Sequence, residues 1–154
     1  MWNQEIYLKT LLFAGEAHIG QKIPGTEISY VVHITNVCME VITAIVNSPN
    51  HQLDANLIIQ GALLHDTIED TKVTYNDLLK HFGHKVAKGV LELSKNQNLP
   101  TKQEQMQDSL TRIIEQGPEI RVIKMADRIQ NLQAPPHYWT LEKKKAYLEE
   151  AKNL

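Results

Sequence analysis

Apolar residues recur every three to four positions along most of the chain, which is the spacing of one face of an α-helix. The pattern predicts helices over residues 2–20, 30–47, 74–81, 85–94, 100–115, 119–133 and 141–151, and another that starts near Asp54 and carries the middle of the chain. Turn sequences separate several of them, among them Asn47-Ser48-Pro49-Asn50 and Pro135-Pro136. No segment reads convincingly as a strand and no repeat is visible, so we expect an all-α fold with a single domain over residues 1–154.

The middle of the chain holds its densest group of reactive side chains. The sequence GALLHDTIEDT, residues 61–71, places one imidazole and three carboxylates directly after a mostly apolar run. Because that run is too continuously apolar for a surface helix, we expect a buried helix that carries His65 and Asp66 into the interior. Groups this close would strongly perturb one another's ionisation, and a divalent cation would remove the conflict. The alternative is a surface His65-Asp66 pair followed by Glu69-Asp70 as a solvated helix end or helix cap.

Two further polar residues point toward the interior. His33 falls on the apolar stripe of the helix over residues 30–47, and Asp127 lines up with Lys124 and Asn131 on the helix over residues 119–133. We expect the core face of this last helix to consist of Val122, Met125, Ala126, Ile129 and Leu132. The alternative is a surface cluster of Lys124, Asp127 and Arg128, which is the commoner use of such charges.

His33, His65, Asp66 and Asp127 together make a mixed nitrogen and oxygen donor set. Such a set accepts Mn²⁺, Fe²⁺, Zn²⁺ or Mg²⁺ and leaves positions for water and a substrate oxygen. A cation there would polarise a phosphoryl oxygen, with Glu69 within one turn to manage the proton. The residues therefore indicate a hydrolytic metal site.

Composition narrows the choice of partners. The chain has 16 Lys and Arg against 18 Asp and Glu, so it lacks the basic excess that nucleic-acid binding needs, and a polyanionic substrate has to meet local cations. The single Cys38 excludes an internal disulfide and fits a reducing interior. No signal sequence and no apolar run of membrane-spanning length are recognised, so we expect a cytoplasmic protein that binds neither nucleic acid nor membrane.

The order His33, His65-Asp66, Asp127 resembles that of the HD-domain metal phosphohydrolases. The segments SYVVH, GALLHDTIEDT, FGHKVAKGV and IKMADRIQNL are similar, more narrowly, to the hydrolase domain of the stringent-response (RelA/SpoT-type) alarmone enzymes and to their small single-domain relatives. The similarity runs from about Ala17 to Leu132. It implies an HD-type helical bundle around one metal ion, usually Mn²⁺, and removal of the 3′-pyrophosphate from guanosine 3′,5′-bispyrophosphate.

The resemblance also implies a role for each matching residue. The metal ligands would be His33, His65, Asp66 and Asp127. Glu69 and Asp70 would orient or activate the attacking water and protonate the leaving ribose 3′-oxygen. Asn131 would contact the sugar side of the nucleotide, and Lys22 lies in the loop where relatives hold basic residues. Independently of the resemblance, Lys124 is interpreted either as a cation that neutralises substrate phosphate or as a partner of Asp127 or Asp70.

Three departures from the family pattern bear on the substrate. Lys22-Ile23-Pro24 replaces a basic cluster, Ile34 replaces a proline, and Gln133-Ala134 replaces an Arg-Thr pair. The changes around the loop and after Asn131 remove donors or cations aimed at a polyphosphate. Metal chemistry survives such losses better than guanine-alarmone specificity does.

The function expected from the sequence is removal of pyrophosphate or phosphate from the ribose 3′ or 2′ position of a nucleotide. The guanosine alarmone is the first candidate substrate, followed by its adenosine analogue and the 2′-phosphate of NADPH. The alternative is a nucleotide-binding module that keeps the metal without turnover. Tyr138 and Trp139 either wall a base pocket or pack the last helix, and the remaining imidazoles are interpreted as ordinary surface or partly buried residues, namely His18, His51, His81, His84 and His137.

Overall fold

The computed structural model describes residues 1–47 and 53–152, and the described residues are helical apart from loops and one isolated bridge between Lys22 and Ser29. The helices are α1 (Gln4–Ala17), α2 (Tyr30–Asn47), α3 (Ala55–Leu64), α4 (Thr67–Asp70), α5 (Tyr75–Phe82), α6 (His84–Leu93), α7 (Lys102–Glu115), α8 (Pro118–Gln133) and α9 (Leu141–Lys152). The all-α class is confirmed. Helix α2 is described as far as Asn47, and Ser48-Pro49-Asn50 of the predicted stop lie outside the described residues.

Local sequence signals set the helix ends. Asp54 caps α3 as predicted, since its side chain accepts a hydrogen bond from Leu57 N at 3.0 Å. Thr74 begins α5 with a capping box completed by Asp77. Gly83 takes a φ of +82°, a conformation that L side chains avoid, and so separates α5 from α6.

Helix α3 is the centre of the bundle. Eight of its ten residues are buried, and it packs against α1, α2, α6 and α8. One apolar cluster joins it to α2 and α8 through Val41, Ile59 and Ile123, and a second joins it to the α5–α6 side through Leu64 and Leu78. The prediction of a buried central helix is confirmed, so the chain segment that follows α3 starts inside the protein.

Helix α2 corrects one expectation about apolar runs. Its 18 residues have a mean hydropathy of 1.4, so by length and composition alone α2 is able to cross a membrane. A core helix passes the same test, and α2 packs against both α3 and α8 within the bundle. The length of this run is therefore weak evidence about membranes.

Helix α8 turns a different face to the core than the apolar pattern predicts. Met125 and Ile129 are 37% and 40% exposed, although Ala126 is buried as expected. The surface-cluster interpretation of the charged residues is also wrong, because Lys124, Asp127 and Arg128 are all buried. Lys124 pairs with Asp127 at 3.4 Å and Arg128 with Glu150 at 3.2 Å, and such pairing offsets part of the cost of burying these charges.

A glycine brings α3 and α8 close together. A Cβ atom on Gly61 would lie 2.4 Å from Ile123 Cδ1, so the contact tolerates no larger residue without movement. His65 and Asp127 each follow one helical turn after this contact. The close approach therefore brings the two polar residues into one site.

Candidate metal centre and active site

The side chains predicted as metal ligands converge at one point of the interior. His33 Nε2 lies 3.5 Å from Asp127 Oδ1 and 3.9 Å from Asp66 Oδ2. His65 Nε2 lies 2.9 Å from Asp66 Oδ2 and 3.7 Å from Asp127 Oδ1. Atoms bound to one ion at about 2.1 Å lie about 3.0–3.4 Å apart at neighbouring positions, so the spacing fits a shared cation.

The hydrogen bonding of His65 shows that its inner nitrogen needs a cation. His65 Nδ1 lies 2.8 Å from the Ala62 carbonyl oxygen, which only accepts, so Nδ1 carries the hydrogen. Nε2 of the neutral ring then presents a lone pair toward two carboxylates, is buried, and makes no well-oriented hydrogen bond. Burial alone would lower the pKa of His65, but Asp66 and Asp127 hold it well above its usual range. A proton or a metal ion at Nε2 resolves the same conflict.

The two carboxylates are held in their charged form. Burial opposes ionisation of Asp66, but His65 keeps its pKa below the usual range, and its Oδ2 accepts a short hydrogen bond from the Tyr30 hydroxyl. Burial likewise opposes ionisation of Asp127, whose pKa Lys124 keeps well below the usual range from 3.4 Å away. Asn131 Nδ2 also donates to Asp127 Oδ1 at 2.6 Å. Two imidazoles and two carboxylates suit a divalent cation.

The adjacent acids Glu69 and Asp70 have separate partners. Glu69 accepts hydrogen bonds from the Lys95 ammonium at 2.9 Å and from the Lys95 main-chain nitrogen at 3.0 Å. Asp70 Oδ2 accepts from Gln21 Nε2 at 2.9 Å. Burial and the charge of Asp66 raise the pKa of Asp70. Asp70 does not cap the next helix, because Thr74 does.

A cavity of about 280 Å³ opens beside the cluster. His33, Tyr30 and Asn131 line it on the side of the metal cluster. Its remaining lining residues are Ile23, Pro24, Asn36, Gln130, Ala134, Pro136, Tyr138, Trp139 and Lys143. Trp139 lines the cavity and also packs against α9, with its ring centroid 5.1 Å from that of Tyr147.

Lys22 and His18, near the end of α1, differ in exposure. Lys22 is exposed and makes a backbone bridge with Ser29, and no hydrogen bond or ion pair from the described residues reaches its ammonium group. His18 was interpreted as an ordinary surface or partly buried residue, yet it is only 1% exposed, and its ring packs against that of Tyr30 at a tilt of 42°, with the centroids 5.0 Å apart. The end of α1 is thus closer to the cluster than its sequence indicates.

Several residues that hold the site residues in place are not predicted by the sequence pattern. Lys95 lies 26 positions after Glu69, and Gln21 lies 49 positions before Asp70. Tyr147 of α9 accepts a hydrogen bond from Asn131 Nδ2 at 3.0 Å, and its ring lies 3.8 Å from the Arg128 guanidinium. No spacing rule connects positions so far apart, so only the fold reveals these pairs.

The family comparison agrees with the arrangement of the site. A family model described as HD domain matches residues 11–154, which is most of the chain. The chain belongs to the HD-domain family. A divalent metal ion is expected of this domain, and the ligand atoms of His33, His65 and Asp127 all lie within 4.8 Å of one another.

Within the family the chain is similar to alarmone hydrolases. It is 29% identical over 153 residues to guanosine-3′,5′-bis(diphosphate) 3′-pyrophosphohydrolase MESH1 of Danio rerio, a match that covers 94% of this chain and 79% of that protein. It is 33% identical over 123 residues to guanosine-3′,5′-bis(diphosphate) 3′-pyrophosphohydrolase of Aquifex aeolicus, covering 79% of this chain but only 16% of that protein. A solved structure described as a metazoan ortholog of SpoT that hydrolyzes ppGpp matches with a TM-score of 0.80 and 26% identity, over 99% of this chain and 85% of that one.

Proposed function

We propose that the chain is a metal-dependent phosphohydrolase that removes pyrophosphate from the ribose 3′ position of a guanosine polyphosphate. The observation that carries the proposal is the group formed by His33, His65 and Asp127, whose ligand atoms all lie within 4.8 Å of one another, with Asp66 Oδ2 at 2.9 Å from His65 Nε2. The group lies next to a cavity lined by aromatic and amide side chains. Relatives matched over most of this chain carry the name of this activity. The whole of residues 1–154 would form the single HD domain that does the chemistry.

His33, His65, Asp66 and Asp127 are the proposed metal ligands, and Mn²⁺ is the proposed ion. The bound ion would supply Lewis-acid polarisation of a phosphoryl oxygen and a lower pKa for a water molecule. The protein contributes the orientation of the ligands. Ala62 fixes the ring of His65 and Tyr30 fixes Asp66, and such supporting contacts set the geometry of a metal site.

Glu69 and Asp70 divide the proton handling. Glu69 stays anchored by two hydrogen bonds from Lys95, which suits orientation of a water molecule. Asp70 has a raised pKa because of burial and the nearby charge of Asp66, which suits transfer of a proton to the leaving ribose oxygen. Adjacent acids in different environments commonly take different roles.

Substrate recognition falls to the cavity. Trp139 and Tyr138 offer aromatic surfaces for a base, and the Lys143 ammonium lies 4.5 Å above the Trp139 ring at the same wall. Asn131 faces the cavity from the cluster side and is proposed to contact the sugar. Lys124 is proposed to offset phosphate charge from its position beside Asp127. Lys22, exposed at the loop, is the proposed outer contact for phosphate.

A second candidate is a nucleotide-binding module with a metal but without turnover. The loop that carries Lys22 favours it, because Ile23 and Pro24 face the cavity where relatives hold cations. A hydrolase of the adenosine alarmone or of the NADPH 2′-phosphate would follow from the same loss. The binding module and the two alternative hydrolases all keep the metal ion, and they differ in which product, if any, is released.

A panel of nucleotides separates the candidates. The protein loaded with Mn²⁺ is incubated with guanosine 3′,5′-bispyrophosphate, its adenosine analogue and NADPH, and pyrophosphate and orthophosphate are measured. The proposal predicts release of pyrophosphate from the guanosine compound with the highest kcat/KM. Faster release from the adenosine compound, or orthophosphate from NADPH, would reassign the substrate. Binding of a nucleotide without any product would favour the binding module.

A further inference from the structure

Three side chains form one continuous row of hydrogen bonds that ends on Asp70. His18 Nδ1 lies 2.7 Å from Gln21 Oε1, and Gln21 Nε2 lies 2.9 Å from Asp70 Oδ2. His18 is buried, Gln21 is partly buried and Asp70 is exposed, so the row runs from the interior at His18 to the surface at Asp70. Its two ends lie on different elements, since His18 closes α1 and Asp70 ends α4.

The chemistry of the three groups fixes the direction of the row. While Asp70 is ionised, as it is before it takes up the proton that it delivers, its carboxylate only accepts hydrogen bonds, so Gln21 turns its amide nitrogen toward Asp70 and its oxygen toward His18. That oxygen also only accepts, so His18 must carry a hydrogen on Nδ1. Nε2 of His18 is buried and has no partner among the described residues, which disfavours a second hydrogen there. The arrangement selects one tautomer of His18.

The loop backbone holds Gln21 rigidly between its partners. Gly20 takes a φ of +82°, which turns the chain sharply after α1. Gln21 N then donates to His18 O at 3.0 Å, and Gln21 O accepts from Tyr30 N at 3.0 Å. With both main-chain groups bound, the Gln21 side chain has a fixed origin for its contact with Asp70.

We propose that Gln21 and His18 are positioning residues for Asp70, with His18 orienting the Gln21 amide and the amide orienting the carboxylate. The inference rests on the proposed function, because it takes Asp70 as the acid that serves the leaving group. His18 also stacks on Tyr30, whose hydroxyl donates to Asp66. One imidazole therefore supports both the proposed metal ligand and the proposed acid.

The tautomer of His18 tests the row without any substrate. In long-range ¹H–¹⁵N correlation spectra, ring nitrogens that carry a hydrogen are distinguished from bare ones. Wild-type His18 is expected to be protonated on Nδ1 at neutral pH, and Gln21→Met is expected to shift the population toward the Nε2–H form. A bare Nδ1 in the wild type would overturn the inference even if the enzyme hydrolyses the alarmone. Failure of the proposed function would leave this readout intact.

Kinetics test whether the row serves Asp70. Gln21→Met should lower kcat by about 10- to 100-fold, while KM and Mn²⁺ affinity stay within about twofold of wild type. His18→Phe keeps the stacking on Tyr30 but removes the donor, and should cause a similar loss. His18→Asn places an amide nitrogen at the position of Nδ1 and should recover most of the loss. Exposed Gln103→Met and His84→Phe serve as matched controls that should retain full kcat.

Two outcomes would contradict the positioning role. His18→Asn as inactive as His18→Phe would show that the ring, not the donor, is what matters. A rise in KM or a loss of Mn²⁺ that accounts for the whole defect of Gln21→Met would place Gln21 in binding instead. If His18→Phe fails to fold, Gln21→Met is compared with His18→Asn instead. High kcat in His18→Asn with low kcat in Gln21→Met supports the positioning role, and equally low kcat in both contradicts the role assigned to the His18 donor.

Discussion

The group of proposed metal ligands, His33, His65, Asp66 and Asp127, and the cavity beside it are formed by different parts of the chain. The cluster takes its side chains from the bundle's central helices and the turn after α3, and His33, His65 and Asp127 are 8%, 3% and 6% exposed. The cavity takes much of its outer wall from the loop before α2 and the segment before α9, where Pro24 and Tyr138 are exposed. Core packing determines the geometry of the ligand group, whereas the loop sequence determines the shape of the cavity wall. The chemistry should therefore resist change more than the choice of substrate does.

The strongest way to break the cluster is to remove one ligand charge. Asp66→Asn keeps the shape of the side chain and an acceptor for Tyr30, but it removes a negative charge from the donor set. We expect Mn²⁺ affinity to fall at least about 100-fold and turnover to disappear. Titration calorimetry with Mn²⁺ and the pyrophosphate assay would measure both. Unchanged Mn²⁺ affinity would exclude Asp66 as a ligand.

Glu69→Gln should separate chemistry from metal binding. The Gln side chain keeps a carbonyl acceptor for Lys95 but loses its charge, so kcat should fall about 100-fold or more with Mn²⁺ affinity retained. Exposed Glu115→Gln is the matched control and should behave as wild type. Loss of the metal in Glu69→Gln would place this residue in the cluster rather than beside it.

The close approach of α3 and α8 offers a test of how the cluster is assembled. Gly61→Ala introduces a methyl group 2.4 Å from Ile123 Cδ1, which has to move, whereas alanine is favoured over glycine inside a helix by about 1 kcal/mol. The free energy of unfolding should therefore fall by no more than about 1–2 kcal/mol, and Mn²⁺ binding should weaken. Urea unfolding measures the first effect. Adding Ile123→Val removes the clashing atom, so the double variant should recover part of the loss. No recovery would show that another contact opposes the methyl group.

Substitutions at the cavity wall should change nucleotide binding without changing turnover. Trp139→Ala removes an aromatic surface and should raise KM about tenfold, since stacking of a base is worth about 1–3 kcal/mol, with kcat and Mn²⁺ affinity little changed. Lys22→Ala should raise KM less, because the side chain is exposed and its charge is screened. Steady-state kinetics on the preferred nucleotide measure both. A larger effect at Lys22 than at Trp139 would show that the exposed loop contributes more to nucleotide binding than the aromatic side chain does.

The same contrast explains which features the sequence predicts. The helices and the buried α3 follow from periodicity, and His65 and Asp127 follow from polar residues placed in apolar surroundings. On α8 the apolar pattern fails, because the polar stripe competes for the inner face and leaves Met125 and Ile129 exposed. Lys95 and Gln21 depend on contacts between distant segments, so neither is visible before the chain is folded.

The smallest expected effect is a gain in the stability of the metal-free protein when Asp70 loses its charge. Burial and the charge of Asp66 raise the folded-state pKa of Asp70, with Glu69 adding repulsion, so ionised Asp70 destabilises the metal-free fold. The stability that the protonated Asp70 carboxyl contributes is complete below its unfolded-state pKa and is lost as pH rises through its folded-state pKa. Asp70→Asn should therefore raise the melting temperature of the metal-free protein at pH 7 by about 1–3 °C, which corresponds to less than about 1 kcal/mol after solvent screening of this exposed group. Thermal melts from acidic to neutral pH would measure the gain, which should vanish at acidic pH. A constant gain at every pH would assign the effect to packing, and Asp70 would then lose its place as the acid adapted to proton transfer.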